Sequence, residues 1–79
     1  MVTQSFDVHL NATEYRCPMP LLKTKQALSS MNLGQVLKLT CTDSGSWRDI
    51  PSFVDLSPHE LTHREQLNDE FIFFIKKGE

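Results

Sequence analysis

Cys17-Pro18-Met19-Pro20 is the stretch whose residue types and spacing point to chemistry. Pro18 fixes its own φ at about −65° and favours the first position of a helix. It also disfavours the helical region for the residue before it, so Cys17 is expected in the extended conformation of an N-cap. An N-cap side chain accepts from the backbone N–H of the second or third helical residue. The third is Pro20, which has no N–H, so Met19 is the only in-helix donor left for the sulfur. Met19 in turn precedes a proline and resists the helical region, which stiffens the expected first turn.

Ser, Thr, Asp and Asn all serve better than cysteine at an N-cap. A cysteine there is intelligible if the sulfur is wanted as an anion. A negative charge at a helix N-terminus gains roughly 0.3–1 kcal/mol, which lowers a thiol below its ordinary pKa range. The neighbouring Arg16 adds to that effect. The expectation is a thiolate, or a persulfide on the same sulfur, exposed at a helix tip. The other reading is a small apolar residue packed into a tight turn, and these four residues alone leave both open.

The remaining candidates are weighed in the same way. Cys41 falls on the Leu37/Leu39 side of an alternating stretch and reads as core, because buried cysteine behaves as a small hydrophobe. His9, His59 and His63 share no metal-ligand spacing with either cysteine. Arg48 and Asp49 follow a helix-start signal. They are either capping and surface residues, or they lie near Cys17 and meet a partner. Lys23 and Lys25 are a solvated helix face or, with Arg16, a basic rim around Cys17 for acidic partners. Met19 is a candidate apolar contact beside the sulfur, and Trp47 reads as core.

These residues need elements to position them. Phe6, Val8 and Leu10 alternate with Asp7 and His9, predicting a first strand, with a loop over residues 11–16. A helix follows the Cys-Pro element, with Leu21, Thr24, Leu28 and Met31 on its inner face and Gly34 as its stop. Residues 36–42 form a second strand. Ser46 and Asp49 have the spacing of a capping box and predict a second helix burying Trp47, Ile50 and Val54. Pro51 is tolerated only near that helix's first turn, so an irregular start is expected. Residues 61–65 and 71–77 are the last two strands, joined by a turn at Asn68-Asp69 into an antiparallel hairpin. Phe71, Ile72, Phe73, Phe74 and Ile75 put apolar groups on both faces, so one face is expected to leave aromatic surface exposed.

The fold class is therefore α+β: a two-layer sandwich of order β-α-β-α-β-β, a mixed four-stranded sheet with both helices on one face and a right-handed first crossover. The chain of 79 residues allows one domain, spanning 1–79. The net charge of −2 argues against a dedicated nucleic-acid binder, so no direct stable nucleic-acid binding is expected. The apolar runs are short, so no membrane partner is expected, and the N-terminal residues show no secretion signal. Two cysteines make no disulfide framework, and a reduced, cytoplasmic protein is the expectation.

Arg16-Cys17-Pro18-Met19-Pro20, followed by Leu21-Leu22-Lys23-Thr24-Lys25-Gln26-Ala27-Leu28, resembles the signature of the TusA/SirA family of small sulfur-carrier proteins. Arg48-Asp49-Ile50-Pro51 is similar to that family's second short motif, and Phe74-Ile75-Lys76-Lys77-Gly78 to its last strand. The likeness runs from about Phe6 to Gly78. Asn11 and Glu14 stand where family members often carry an acid and a glycine. The resemblance implies the same two-layer sandwich and a persulfide carried on Cys17, with no other cofactor. It implies a cysteine desulfurase as donor and a downstream sulfur-relay protein as acceptor. The best-known branch leads to 2-thiouridine in tRNA. Such a protein is a sulfurtransferase-type carrier rather than a turnover enzyme. A regulatory or RNA- or protein-interaction module of the same fold, with Cys17 structural, is the alternative.

Overall fold

The computed structural model describes residues 6–13 and 19–78, with Met19 and Pro20 described by their backbone. The element order is β1 (Val8–Ala12), α1 (Met19–Ser29), β2 (Val36–Cys41), α2 (Ser46–Asp55), β3 (Glu60–Leu67) and β4 (Glu70–Lys76). This is the expected α+β order. The sheet is mixed, in the order β1-β2-β4-β3. β1 runs parallel to β2, whereas β4 is antiparallel to both β2 and β3. β4 is thus central and has a paired neighbour on each side.

Alternation sets the core. Leu37, Leu39 and Cys41 of β2 and Phe73 and Ile75 of β4 are fully buried against Leu28, Ile50 and Val54 of the helices. Ala12 of β1 joins them. α1 buries Thr24 and Leu28, as its spacing predicts, and Met31, just past its end, is buried as well.

Several boundaries move. β1 continues through Asn11 and Ala12, which were expected in the loop, and Phe6 lies outside it, 43% exposed. α1 ends at Ser29, well before Gly34. There the hydroxyls of Ser29 and Ser30 donate to the carbonyls of Gln26 and Ala27, and Lys77 donates to the Leu28 carbonyl. These donors satisfy the orphan carbonyls of the last turn, and a cation there suits the helix dipole. Gly34 instead takes φ +88 in the following connection and donates its N–H to the Lys77 carbonyl. The glycine serves a left-handed turn rather than the helix stop.

The capping box does not form. Gly45 is the N-cap of α2, with helical φ and ψ and no side-chain cap. The preceding turn is already wound, so the carbonyls of Asp43, Ser44 and Gly45 take the N–H groups of Ser46, Trp47, Arg48 and Asp49. Ser46 is left free to turn inward, 3% exposed. The β3–β4 hairpin closes on the two-residue turn Asn68-Asp69, with Asn68 at φ 57, a conformation that asparagine tolerates. Both strands are longer or shifted by a residue or two from the expected spans.

The expected exposed aromatic face is absent. Ile72 and Phe74 point away from the helices, yet are only 8% and 5% exposed. Phe74 pairs with Lys38 on one side and His63 on the other, and the His63 ring lies 5.7 Å from it. Long polar side chains of the neighbouring strands cover the apolar ones. Gly78 packs against Pro58 and His59, just before β3, where a Cβ would collide with the Pro58 carbonyl. Among the described residues no helix is long and apolar enough to cross a membrane.

Candidate functional site

The parallel pairing of β1 and β2 decides where the chemistry-bearing segments meet. Ala12 is in register with Cys41, so both strands end at the same edge of the sheet. Beyond them the chain leads into α1 on one side and α2 on the other. The two ends are tied together, for the Thr42 hydroxyl donates to the Thr13 carbonyl at 3.0 Å. Asn11 starts the exit from β1. Its Oδ1 accepts from the Thr13 backbone N–H at 3.1 Å and from the Thr13 hydroxyl at 2.8 Å. This is the local turn an asparagine side chain makes with the backbone two residues on.

Cys17, Arg16 and Pro18 lie outside the described residues, as does the expected N-cap geometry at Cys17. The backbone of Met19 and Pro20 forms the start of α1. No acidic residue stands in that first turn, so nothing there opposes an anion at the positive end of the helix.

Arg48 and Asp49 sit in the first turn of α2, at the same sheet edge. With Ser44, Gly45 and Trp47 they line an open cleft of about 290 Å³. Arg48 is exposed and Asp49 half-exposed. At the end of β2 lies Cys41, a free and fully buried thiol, as its place in the alternation predicts. Its Sγ faces the Phe71 carbonyl at 3.7 Å. Burial pushes the thiol's pKa up, and the nearby Asp43 charge adds to this. Hydrogen bonds from the Ser46 side chain and the Asp43 backbone oppose it. Asp43 Oδ2 is shut off from solvent and has no hydrogen-bond partner.

The raised pKa gives a signed expectation. The folded thiol stays protonated, whereas the unfolded thiol ionises at about pH 8.5. Above that pH the unfolded state binds fewer protons, so stability falls as pH rises. Denaturant unfolding at neutral and alkaline pH should show a steeper alkaline loss for this chain than for Cys41→Ala. Parallel slopes would count against it.

Trp47 is half-buried and packs against the core. Its ring lies 5.7 Å from Phe71 and 5.9 Å from Phe73, and its outer face carries the Arg64 guanidinium at 4.0 Å. Lys25 lies over Phe53 of α2, at 5.4 Å from the ring, and so bridges the helices. Arg64 has no role legible in the sequence, where it is one polar residue of the third strand, and the local signals at Asn11 and Ser46 point to other roles than those the structure gives them.

A family profile described as Sulfurtransferase TusA matches residues 8–77. The chain is 39% identical over 73 residues to the sulfur carrier protein TusA of Allochromatium vinosum, covering 92% of this chain and 96% of the relative. It is 33% identical over 72 residues to the putative sulfur carrier protein YrkI of Bacillus subtilis, covering 91% and 96%. The sulfur carrier protein TusA of Pseudomonas putida is 34% identical over 71 residues, covering 90% and 89%.

Proposed function

The chain belongs to the TusA sulfurtransferase family, and from that premise we propose that it is a sulfur carrier whose cargo rides as a persulfide on Cys17. The observation that supports this most is the placement of Arg16-Cys17-Pro18 immediately before α1, an eleven-residue helix with no acid in its first turn. The positive end of such a helix favours a thiolate and equally a persulfide anion.

The transfer is thiol exchange. The Cys17 thiolate attacks the outer sulfur of a persulfide on the donor. A new S–S bond forms at Cys17, the donor's S–S bond breaks, and the donor cysteine leaves as a thiolate. No external oxidant is consumed, because the sulfane sulfur only changes owner. An acceptor thiolate then repeats the step on Cys17–S–S⁻ and frees the Cys17 thiolate. A cysteine desulfurase is the donor class, a downstream sulfur-relay protein the acceptor class, and 2-thiouridine in tRNA the destination. Pro18, Met19 and Pro20 hold the sulfur's turn. Arg16 favours the anion, and Arg48 and Asp49 meet the partner from the adjoining turn of α2. The relay operates in the cytoplasm.

Incubation with a cysteine desulfurase and cysteine, followed by intact-mass and peptide analysis, is the test. The expected result is a gain of one sulfur atom, mapped to the Cys17 peptide. No gain, or a gain elsewhere, defeats the proposal.

A further inference from the structure

Pro51 stands in the second turn of α2, deeper than its expected place near the first. It has no N–H to give to the carbonyl four residues back, which is that of Trp47. The freed carbonyl then takes its donor from elsewhere, a side chain or water. Here that donor comes from the sheet: Arg64 Nη1 donates to the Trp47 carbonyl at 2.9 Å. The same guanidinium lies 4.0 Å above the Trp47 ring, in cation–π contact.

A second feature aims Arg64 at this target. The pairing of β3 with β4 is regular except for a shift between Leu61 and His63, where Thr62 is the extra residue. Leu61 pairs with the inward-facing Ile75, and His63 pairs with the outward-facing Phe74. The bulge reverses the alternation, so Arg64 pairs with Phe73 and lies on the helix side of the sheet. Without it, Arg64 would lie on the open face. The Thr62 hydroxyl donates to the Phe74 carbonyl at 3.1 Å and fixes the bulge.

We propose that Arg64 is a positioning residue that clamps the first turn of α2 through the Trp47 carbonyl and ring, holding Arg48 and Asp49 in the arrangement a sulfur-transfer partner meets. Its link to sulfur transfer rests on the carrier reading above, whereas the clamp does not. The guanidinium fills two roles: it satisfies the carbonyl that Pro51 leaves without its helical donor, and it covers one face of the indole that lines the cleft. A lysine could supply the charge and a donor but not the planar stack.

Two arms separate the clamp from its consequence. The first needs no partner. Trp47 is the only tryptophan, so its fluorescence reports the stack directly. Arg64→Leu should shift the emission and increase quenching by acrylamide. It should also lower the folding equilibrium constant about fivefold to tenfold. Pro51→Ala returns an N–H to the Trp47 carbonyl, so Arg64→Leu should cost at least about threefold less in that background. Equal costs in both backgrounds, or unaltered fluorescence, overturn the clamp.

The second arm follows loading by a cysteine desulfurase. Arg64→Leu should raise the half-saturating concentration of the carrier about threefold to tenfold with the maximal rate unchanged. Arg64→Lys should fall between, and Pro51→Ala in the Arg64→Leu chain should bring the value back. An unchanged half-saturation, or no recovery, overturns the positioning role. If the wild-type chain gains no sulfur at Cys17 while the first arm succeeds, the carrier reading has failed and the clamp stands.

Discussion

Cys17→Ser is expected to lose all sulfur acceptance while keeping the fold. Serine is close in size to cysteine and a better N-cap, so the first turn of α1 should form at least as well as in the native chain. What serine cannot do is ionise near neutral pH and attack a sulfane sulfur, because the nucleophile of this exchange is a thiolate. The variant should therefore show an unchanged denaturation midpoint and no added sulfur after incubation with a cysteine desulfurase and cysteine. Cys41→Ala should still gain sulfur, since the Cys41 thiol is fully buried and out of a partner's reach. A Cys17→Ser chain that still gains sulfur would remove Cys17 from the mechanism. A chain that fails to fold would mark Cys17 as structural, as in an interaction module of the same fold.

The largest stability effect is expected at Phe73. The side chain is completely buried at the centre of β4, which like β2 is paired on both sides. Leu39 lies in register on one side and Arg64 on the other, with the Trp47 ring 5.9 Å away. Phe→Ala in a core costs about 3–5 kcal/mol. A single core in a chain of this size supplies only about 3–5 kcal/mol of net stability. Phe73→Ala should therefore leave little or no folded population, with no cooperative transition by circular dichroism on adding urea. Phe73→Leu fills more of the space and should keep a cooperative transition at a lower midpoint. An alanine variant within about 1 kcal/mol of the native chain would mean that the core closes over the gap better than its packing indicates.

The first effect concerns a residue that the sequence itself marks, and the reason is local. The double-proline frame of Cys17 constrains φ and removes donors whatever the rest of the chain does. Alternation in residues 36–42 settles which side chains share a face, which is why Cys41 reads as core before any pairing is known, whereas the unbroken apolar run 71–75 leaves the face of Phe73 to the tertiary structure. The 3.6-residue spacing of Thr24 and Leu28 works the same way for α1. The type and order of the six elements, and with them the α+β sandwich, were thus determined by patterns only a few residues long.

Other features depended on distant partners. Gly34 looked like a helix stop, but the end of α1 is set by Ser29, Ser30 and the far-off Lys77. Ser46 and Asp49 had capping spacing, but the turn at Asp43–Gly45 supplied the acceptors first and freed Ser46 to face Cys41. Arg48 and Asp49 are candidates from a helix-start signal and a short family motif. Their place at the edge from which the chain leaves β1 follows from the parallel register of Ala12 with Cys41. Arg64 was silent in the sequence because its side of the sheet turns on one extra residue at Thr62. Short-range sterics and periodicity can be read along a chain. Register, bulges and the donors that reach a freed carbonyl exist only once strands far apart in sequence lie side by side.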